Sequence, residues 1–279
     1  MSAPTNSATD AAREYYNSED ADNFYATIWG GEDIHIGLYE SDDDSIAEAS
    51  RRTVEKLASV PPEINAKTRV IDLGAGYGGA ARYLAQRYGC GVTALNLSET
   101  ENERHRAINA ERGLDDYITV VDGSFEKIDA KDASFDLAWS QDAILHAGDR
   151  EAVVKEVARV LAPGGRFVFT DPMQADDCPK GVLDPILARI NLSSLGSPGF
   201  YKKSCEAAGL EFRGFEDLTH QLVRHYSRVL EETEKREEEL RSMVSPDYIE
   251  RMRKGLGHWI EGGEKGWLAW GVMHFEKPA

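Results

Sequence analysis

The sequence predicts an α/β fold built on a mostly parallel, Rossmann-like sheet with helices on both faces. Three observations carry that prediction. Val70-Ile71-Asp72-Leu73 reads as a short buried strand, followed by Gly74, Gly76, Gly78 and Gly79 as a turn and then by Ala80-Ala81-Arg82-Tyr83-Leu84-Ala85 as a helix. Strand-like and helix-like stretches then alternate regularly from Gly91 to Thr170. Past Asp171 the rhythm breaks, and charged helical stretches take over.

Residues 1–12 read as a disordered tail. Residues 13–62 read as a helical arm. Aromatic residues recur among acids from Tyr15 to Trp29, Gly30 and Gly31 end the run, and a helix from Ser45 to Val60 is stopped by Pro61-Pro62. The aromatic stretch fits an amphipathic helix packed on a domain, or a lid over a pocket. Residues 63–279 form the main domain. After the glycine turn, Gly91–Leu97 is a second strand. Ser98 caps a helix running to about Gly113, with Glu101 spaced for a capping box. Tyr117–Val121, Phe135–Ser140 and Arg166–Thr170 are the next three strands, with a helix over Glu151–Leu161 closed by Pro163-Gly164-Gly165. Helical cap segments at about 172–200 and 218–265 flank a strand at Leu210–Asp217, and Gly266–Glu276 is the final strand.

At 279 residues and 41% hydrophobic content the chain suits one enlarged domain, or one domain with a cap. No apolar run approaches the roughly 20 residues that span a bilayer. Met1–Ala8 is polar, without the apolar core of a signal peptide. Cys90, Cys178 and Cys205 form no C-x-x-C pair, so they read as reduced thiols of a cytoplasmic protein, and no metal is expected. The net charge of −17 disfavours nucleic acid and anionic membranes as partners, since both are polyanions. Acid clusters such as Asp42-Asp43-Asp44 suit a salty cytoplasm, where screening weakens self-repulsion, although an ordinary acidic protein has the same composition. Oligomeric state is left open.

A glycine turn between strand and helix lets the backbone approach a ligand closely, and the helix N-terminus behind it offers unpaired N–H groups. Gly74, Gly76 and Gly79 satisfy the dinucleotide pattern G-x-G-x-x-G. Three features argue against that ligand. Asp72 would repel a pyrophosphate, a long N-terminal arm precedes the turn, and the second strand ends in Asn96 rather than an acid for the ribose. A zwitterionic, phosphate-free ligand tolerates Asp72 better.

Val70–Gly79 resembles the first motif of the S-adenosylmethionine-dependent methyltransferases. With Leu95-Asn96-Leu97-Ser98, Asp122-Gly123-Ser124-Phe125, Gln141-Asp142-Ala143-Ile144-Leu145-His146 and Ala158–Gly165 it forms an ordered set. The match extends to 24–39, to His225-Tyr226-Ser227 and to 258–263. Together these resemble the sarcosine/dimethylglycine N-methyltransferases that make glycine betaine. The resemblance implies a seven-stranded class I methyltransferase sheet with an antiparallel strand inserted at the edge, at 267–276. It implies S-adenosylmethionine as cofactor, S-adenosylhomocysteine as its product, and a small amine as substrate.

The same resemblance assigns roles. Gly74, Ala75 and Gly76 pass under the methionine part of the cofactor, beside Asp72. Asn96 takes the ribose, Leu97 packs on the adenine, Ser124 and Phe125 hold its edge and face, and Gln141 and Trp29 complete the set. Asp142 and His146, four apart, would share a helical face in the reacting site, closed by Tyr16 or Tyr25. The chemistry, apart from the resemblance, makes Tyr25, Tyr226 and Trp259, with Trp29, candidates to offer aromatic faces to the amine, and Arg189 or Tyr201 candidates for the cationic or hydroxyl partner that the substrate carboxylate needs. A phosphoethanolamine-type or other small-amine methyltransferase is the alternative enzyme, and a cofactor-binding scaffold is the non-enzyme alternative.

Overall fold

The computed structural model describes residues 18–30 and 32–279. The expected tail at 1–12 and the candidate Tyr16 lie outside the described residues.

The main sheet has seven strands: β1 (Arg69–Leu73), β2 (Gly91–Asn96), β3 (Ile118–Asp122), β4 (Phe135–Gln141), β5 (Leu161–Thr170), β7 (Glu211–Asp217) and β9 (Gly271–Glu276). Their order is β3-β2-β1-β4-β5-β9-β7. All neighbours among the first five pair in parallel. β9 runs antiparallel to both β5 and β7, between which it is inserted. Two short strands, β6 (Met173–Gln174) and β8 (Leu268–Ala269), pair separately, so the stretch read as one final strand turns at Trp270.

Period-two alternation divides the core. Ile71 and Leu73 join Leu95, Phe167, Phe169 and Phe275 on one face. Val70, Val92, Leu137, Trp139 and Val168 pack on the other. Chain order reverses at β1, because β2 lies on one side and β4 on the other. In open α/β sheets such a switch point leaves a crevice beyond the strand ends.

Helices cover both faces: α1 (Glu19–Trp29), α2 (Ile46–Ala58), α3 (Gly79–Tyr88), α4 (Glu99–Glu111), α5 (Arg150–Val160), α6 (Asp184–Arg189), α7 (Pro198–Ala207), α8 (Thr219–Lys235), α9 (Glu237–Leu240) and α10 (Pro246–Glu264). The charged helical segment expected after Asp217 is interrupted at Arg236. Helix α1 is capped by Ser18 and stopped by left-handed Gly30. Its apolar stripe, Ala21, Phe24 and Ile28, packs against Val229, Leu240, Tyr248 and Met252, so the arm is docked on the cap. Polar contacts fix its first turn. Asp20 accepts from Ser245 N at 2.9 Å, and Asp22 pairs with Arg104 at 2.9 Å and accepts from the Tyr77 hydroxyl.

Candidate active site

The glycine turn follows β1, and its bend is held by Gly74 and Ala75, whose N–H groups donate to the Leu95 carbonyl at 2.8 and 3.2 Å. Gly74 has φ 77° and Gly76 φ 51°, a region that costs any side chain. A Cβ on Gly74 would also stand 2.3 Å from that of Ala143.

This turn floors a cavity. Its walls include Asp72, Gly74, Ala75, Gly76, Asn96, Leu97, Ser124, Phe125 and Gln141, so all the strand-end residues predicted for the cofactor come together. Helix α4 adds Glu101, and the arm adds Ile34 and His35 as a roof. Asp72 Oδ2 and Gln141 Nε2 are buried and have no partner among the described residues, which leaves an acceptor and a donor for a ligand. Leu97 and Phe125 give apolar surface. A zwitterionic ligand with an aromatic base fits that set.

Glu101 departs from its expected role. Ser98 caps α4 by accepting from Glu101 N at 3.2 Å. The Glu101 carboxylate, however, accepts from Asn96 Nδ2 at 2.9 Å and lines the cavity. Asn96 thus carries an acid beside it after all, supplied from the next helix. Burial pushes Glu101 and Asp72 up to about 7.

A second cavity adjoins the first. Ile34, His35, Asp142 and His146 line both and form the wall they share. The far side holds Tyr25, Trp29, Arg189, His225, Tyr226 and Trp259. Five rings make a continuous arc: Tyr25–Trp29 at 5.0 Å between centroids, Trp29–His225 at 5.4 Å, His225–Tyr226 at 5.6 Å and Tyr226–Trp259 at 5.3 Å. Arg189, the last residue of α6, brings positive charge to this aromatic chamber. Trp29, expected at the cofactor, lines this second cavity instead, its indole N–H donating to the His35 carbonyl at 3.2 Å.

Asp142 and His146 do not share a helical face. Asp142 sits at φ 52°, ahead of a single 3-10 turn over Ile144–His146. Its oxygens accept from Ile36 N and from Trp270 Nε1, both at 2.7 Å. Burial raises its pKa. Asp142 therefore builds the wall that His146 completes. Burial, then Arg150 and Arg189, lower His146 to about 4, so the imidazole is neutral at physiological pH.

Tyr201 is wholly buried and reaches neither cavity; its hydroxyl donates to Asp171 Oδ2 at 2.6 Å. Asp171 Oδ1 accepts from Leu145 N at 2.8 Å, and Arg150 donates to the Leu145 carbonyl at 2.7 Å. Tyr201 thus supports the turn that carries His146.

Sequence reasoning missed Glu101, His35, His225, Asp171 and Trp270 as site residues. Asp171 directly follows the fifth strand, as Gln141 ends the fourth, and His225 adjoins Tyr226 in the matching stretch at 225–227. Among the described residues no group of three or more His, Cys, Asp or Glu side chains could hold a metal, and no helix is long and apolar enough to cross a membrane.

The switch-point crevice, the glycine turn and the antiparallel strand inserted beside β5 define a class I methyltransferase, and residues 71–169 match the family model described as Methyltransferase domain. The chain is 59% identical over 270 residues to the sarcosine/dimethylglycine N-methyltransferase of Halorhodospira halochloris, covering 97% of each chain. It is 53% identical to that of Aphanothece halophytica, with 96% of each covered. A crystal structure from Galdieria sulphuraria, provisionally named as a sarcosine dimethylglycine methyltransferase, superposes with a TM-score of 0.90 at 45% identity, over 95% of this chain and 99% of that one. The chain belongs to the sarcosine/dimethylglycine N-methyltransferase family.

Proposed function

We propose that the protein methylates sarcosine to dimethylglycine and dimethylglycine to glycine betaine, with S-adenosylmethionine held in the first cavity and the amine in the second. The observation that carries this reading is the shared wall. A methyl donor and an acceptor in adjoining chambers meet where Ile34, His35, Asp142 and His146 stand. Bound S-adenosylmethionine supplies an electrophilic methyl group on a sulfonium.

The residues of this chain supply position, dryness and proton handling. Asp72, Glu101 and Asn96 hold the polar parts of the cofactor, and Leu97 and Phe125 its base. The acids suit a ligand that carries positive charge, and they oppose a pyrophosphate. In the second chamber Arg189 pairs with the substrate carboxylate. Tyr25, Trp29, Tyr226 and Trp259 face the amine, whose charge grows as the nitrogen gains a methyl group, and aromatic faces stabilise that charge without occupying the lone pair. The amine must be the free base before transfer, because an ammonium has no lone pair. Neutral His146 offers a hydrogen-bond acceptor to the amine N–H or to the water that carries that proton away. Residues 18–30 and 32–62 close the site, and the cap encloses the amine, excluding water from both chambers.

Glycine betaine is a compatible solute, and the acidic chain suits the same saline setting in the cytoplasm. The test is to mix the purified protein with methyl-labelled S-adenosylmethionine and, separately, sarcosine, dimethylglycine or phosphoethanolamine. Label is expected in dimethylglycine and betaine. Label in phosphoethanolamine alone would reject the reading.

A further inference from the structure

His225 lies on α8 in the middle of the aromatic arc, wholly buried, and its ring lines the second cavity. Its Nδ1 receives the Gly37 backbone N–H at 3.2 Å and contacts the Tyr39 hydroxyl at 3.0 Å. A backbone N–H can only donate, so Nδ1 carries no hydrogen. Burial, then His35, lowers the pKa of His225 to about 3, so the ring is neutral. Burial also raises Tyr39, which keeps its hydroxyl hydrogen and donates to the same nitrogen. A neutral imidazole has one N–H, and here it is at Nε2. That atom is buried and has no partner among the described residues. Gly37 and Tyr39, which hold Nδ1, lie outside the cavity lining, while Trp29 and Tyr226, whose rings flank the imidazole, line it with His225.

A buried N–H donor without an acceptor is costly unless a ligand supplies one. An amine about to be methylated cannot, since its lone pair is the nucleophile. The acceptor that an amino-acid substrate has to spare is its carboxylate. We propose that His225 donates its Nε2–H to a carboxylate oxygen of the substrate, alongside Arg189, and so selects amino acids over amines that lack the carboxylate. The inference rests on the reading of the second cavity as the amino-acid chamber.

The variant that separates the two edges of the ring is His225→Asn. Its side-chain oxygen still accepts from Gly37, while the donor at the Nε2 position is gone. Calorimetry with S-adenosylhomocysteine present measures binding of glycine betaine and of choline, which shares the trimethylammonium group but has no carboxylate. His225→Asn is expected to weaken betaine on the order of tenfold and to leave choline unchanged. Equal loss for both ligands, or no loss of betaine, overturns the role of His225. Arg189→Met controls for the chamber itself: if that change too leaves betaine binding intact, the reading of the cavity fails, and not only this inference. Nitrogen-15 spectra of histidine-labelled wild-type protein need no variant to fold. They are expected to show the Nε2–H form, with a shift on adding betaine and none on adding choline. The Nδ1–H form would overturn the proposal.

Discussion

Asp142 accepts the backbone N–H of Ile36 at 2.7 Å, joining residues 106 apart in the chain and fastening the arm to the end of β4. Its other oxygen takes the Trp270 indole, so both its oxygens meet donors. Asp142→Asn keeps the left-handed backbone, which Asn tolerates, but turns an NH2 group toward one of those donors. The expected cost is about 1–3 kcal/mol, read as a lower midpoint in urea unfolding, with activity lost in parallel. Unchanged stability with lost activity would instead place Asp142 in the chemistry.

His146→Ala is expected to lower kcat by about 10²–10⁴-fold on both substrates, with a smaller loss of cofactor affinity because His146 meets that cavity only at the shared wall. Steady-state kinetics with cofactor binding measured separately decides it. Full activity would assign catalysis to alignment and desolvation alone.

Gly255 on α10 lies against Arg189. A Cβ there would stand 2.1 Å from Arg189 Nε and 2.2 Å from Cδ. Gly255→Ala is therefore expected to push the guanidinium out of place, raising KM for sarcosine and dimethylglycine about tenfold or more, at an overpacking cost of about 1–3 kcal/mol. A KM equal to wild type would separate Arg189 from the substrate.

Asp72 and Glu101 titrate near 7 in the cofactor-free protein, against ordinary values of 3.8 and 4.5. A raised carboxyl favours the folded state most below its ordinary value, and that contribution is lost as pH rises through about 7. A cationic ligand reverses the preference by favouring the ionised form. Affinity for S-adenosylmethionine is expected to strengthen as pH rises from about 6 to 8, with protons released on binding at the lower end. Calorimetry in two buffers of different ionisation enthalpy counts those protons, and Asp72→Asn should reduce them. Binding without proton release would contradict the assignment.

The sheet was legible in the sequence because each strand carries its own local signal: branched or aromatic runs bounded by glycine and proline, with a cap such as Ser98 at the helix that follows. The residues that line the first cavity, whose roles the family resemblance suggested, come together for a related reason. They sit at strand ends, which parallel topology gathers at one edge. What escaped depends on contacts far apart in the chain. Nothing local shows that Glu101 turns from its capping position to Asn96, or that Asp142 meets Ile36 and Trp270. Spacing of four suggested a helix for Asp142 and His146, but helix periodicity says nothing where the chain forms one 3-10 turn after a left-handed residue. Tyr201 was chosen for its hydroxyl, and only packing reveals that Asp171 already takes it.

The wall of Ile34, His35, Asp142 and His146 belongs to both chambers, so neither ligand is sensed alone. Whatever one ligand does to order that wall, the other inherits. Linkage then makes the effect mutual: the factor by which cofactor tightens amine binding equals the factor by which amine tightens cofactor binding. On the proposed function, dimethylglycine retained behind the wall would hold its chamber in the geometry that favours the next molecule of cofactor.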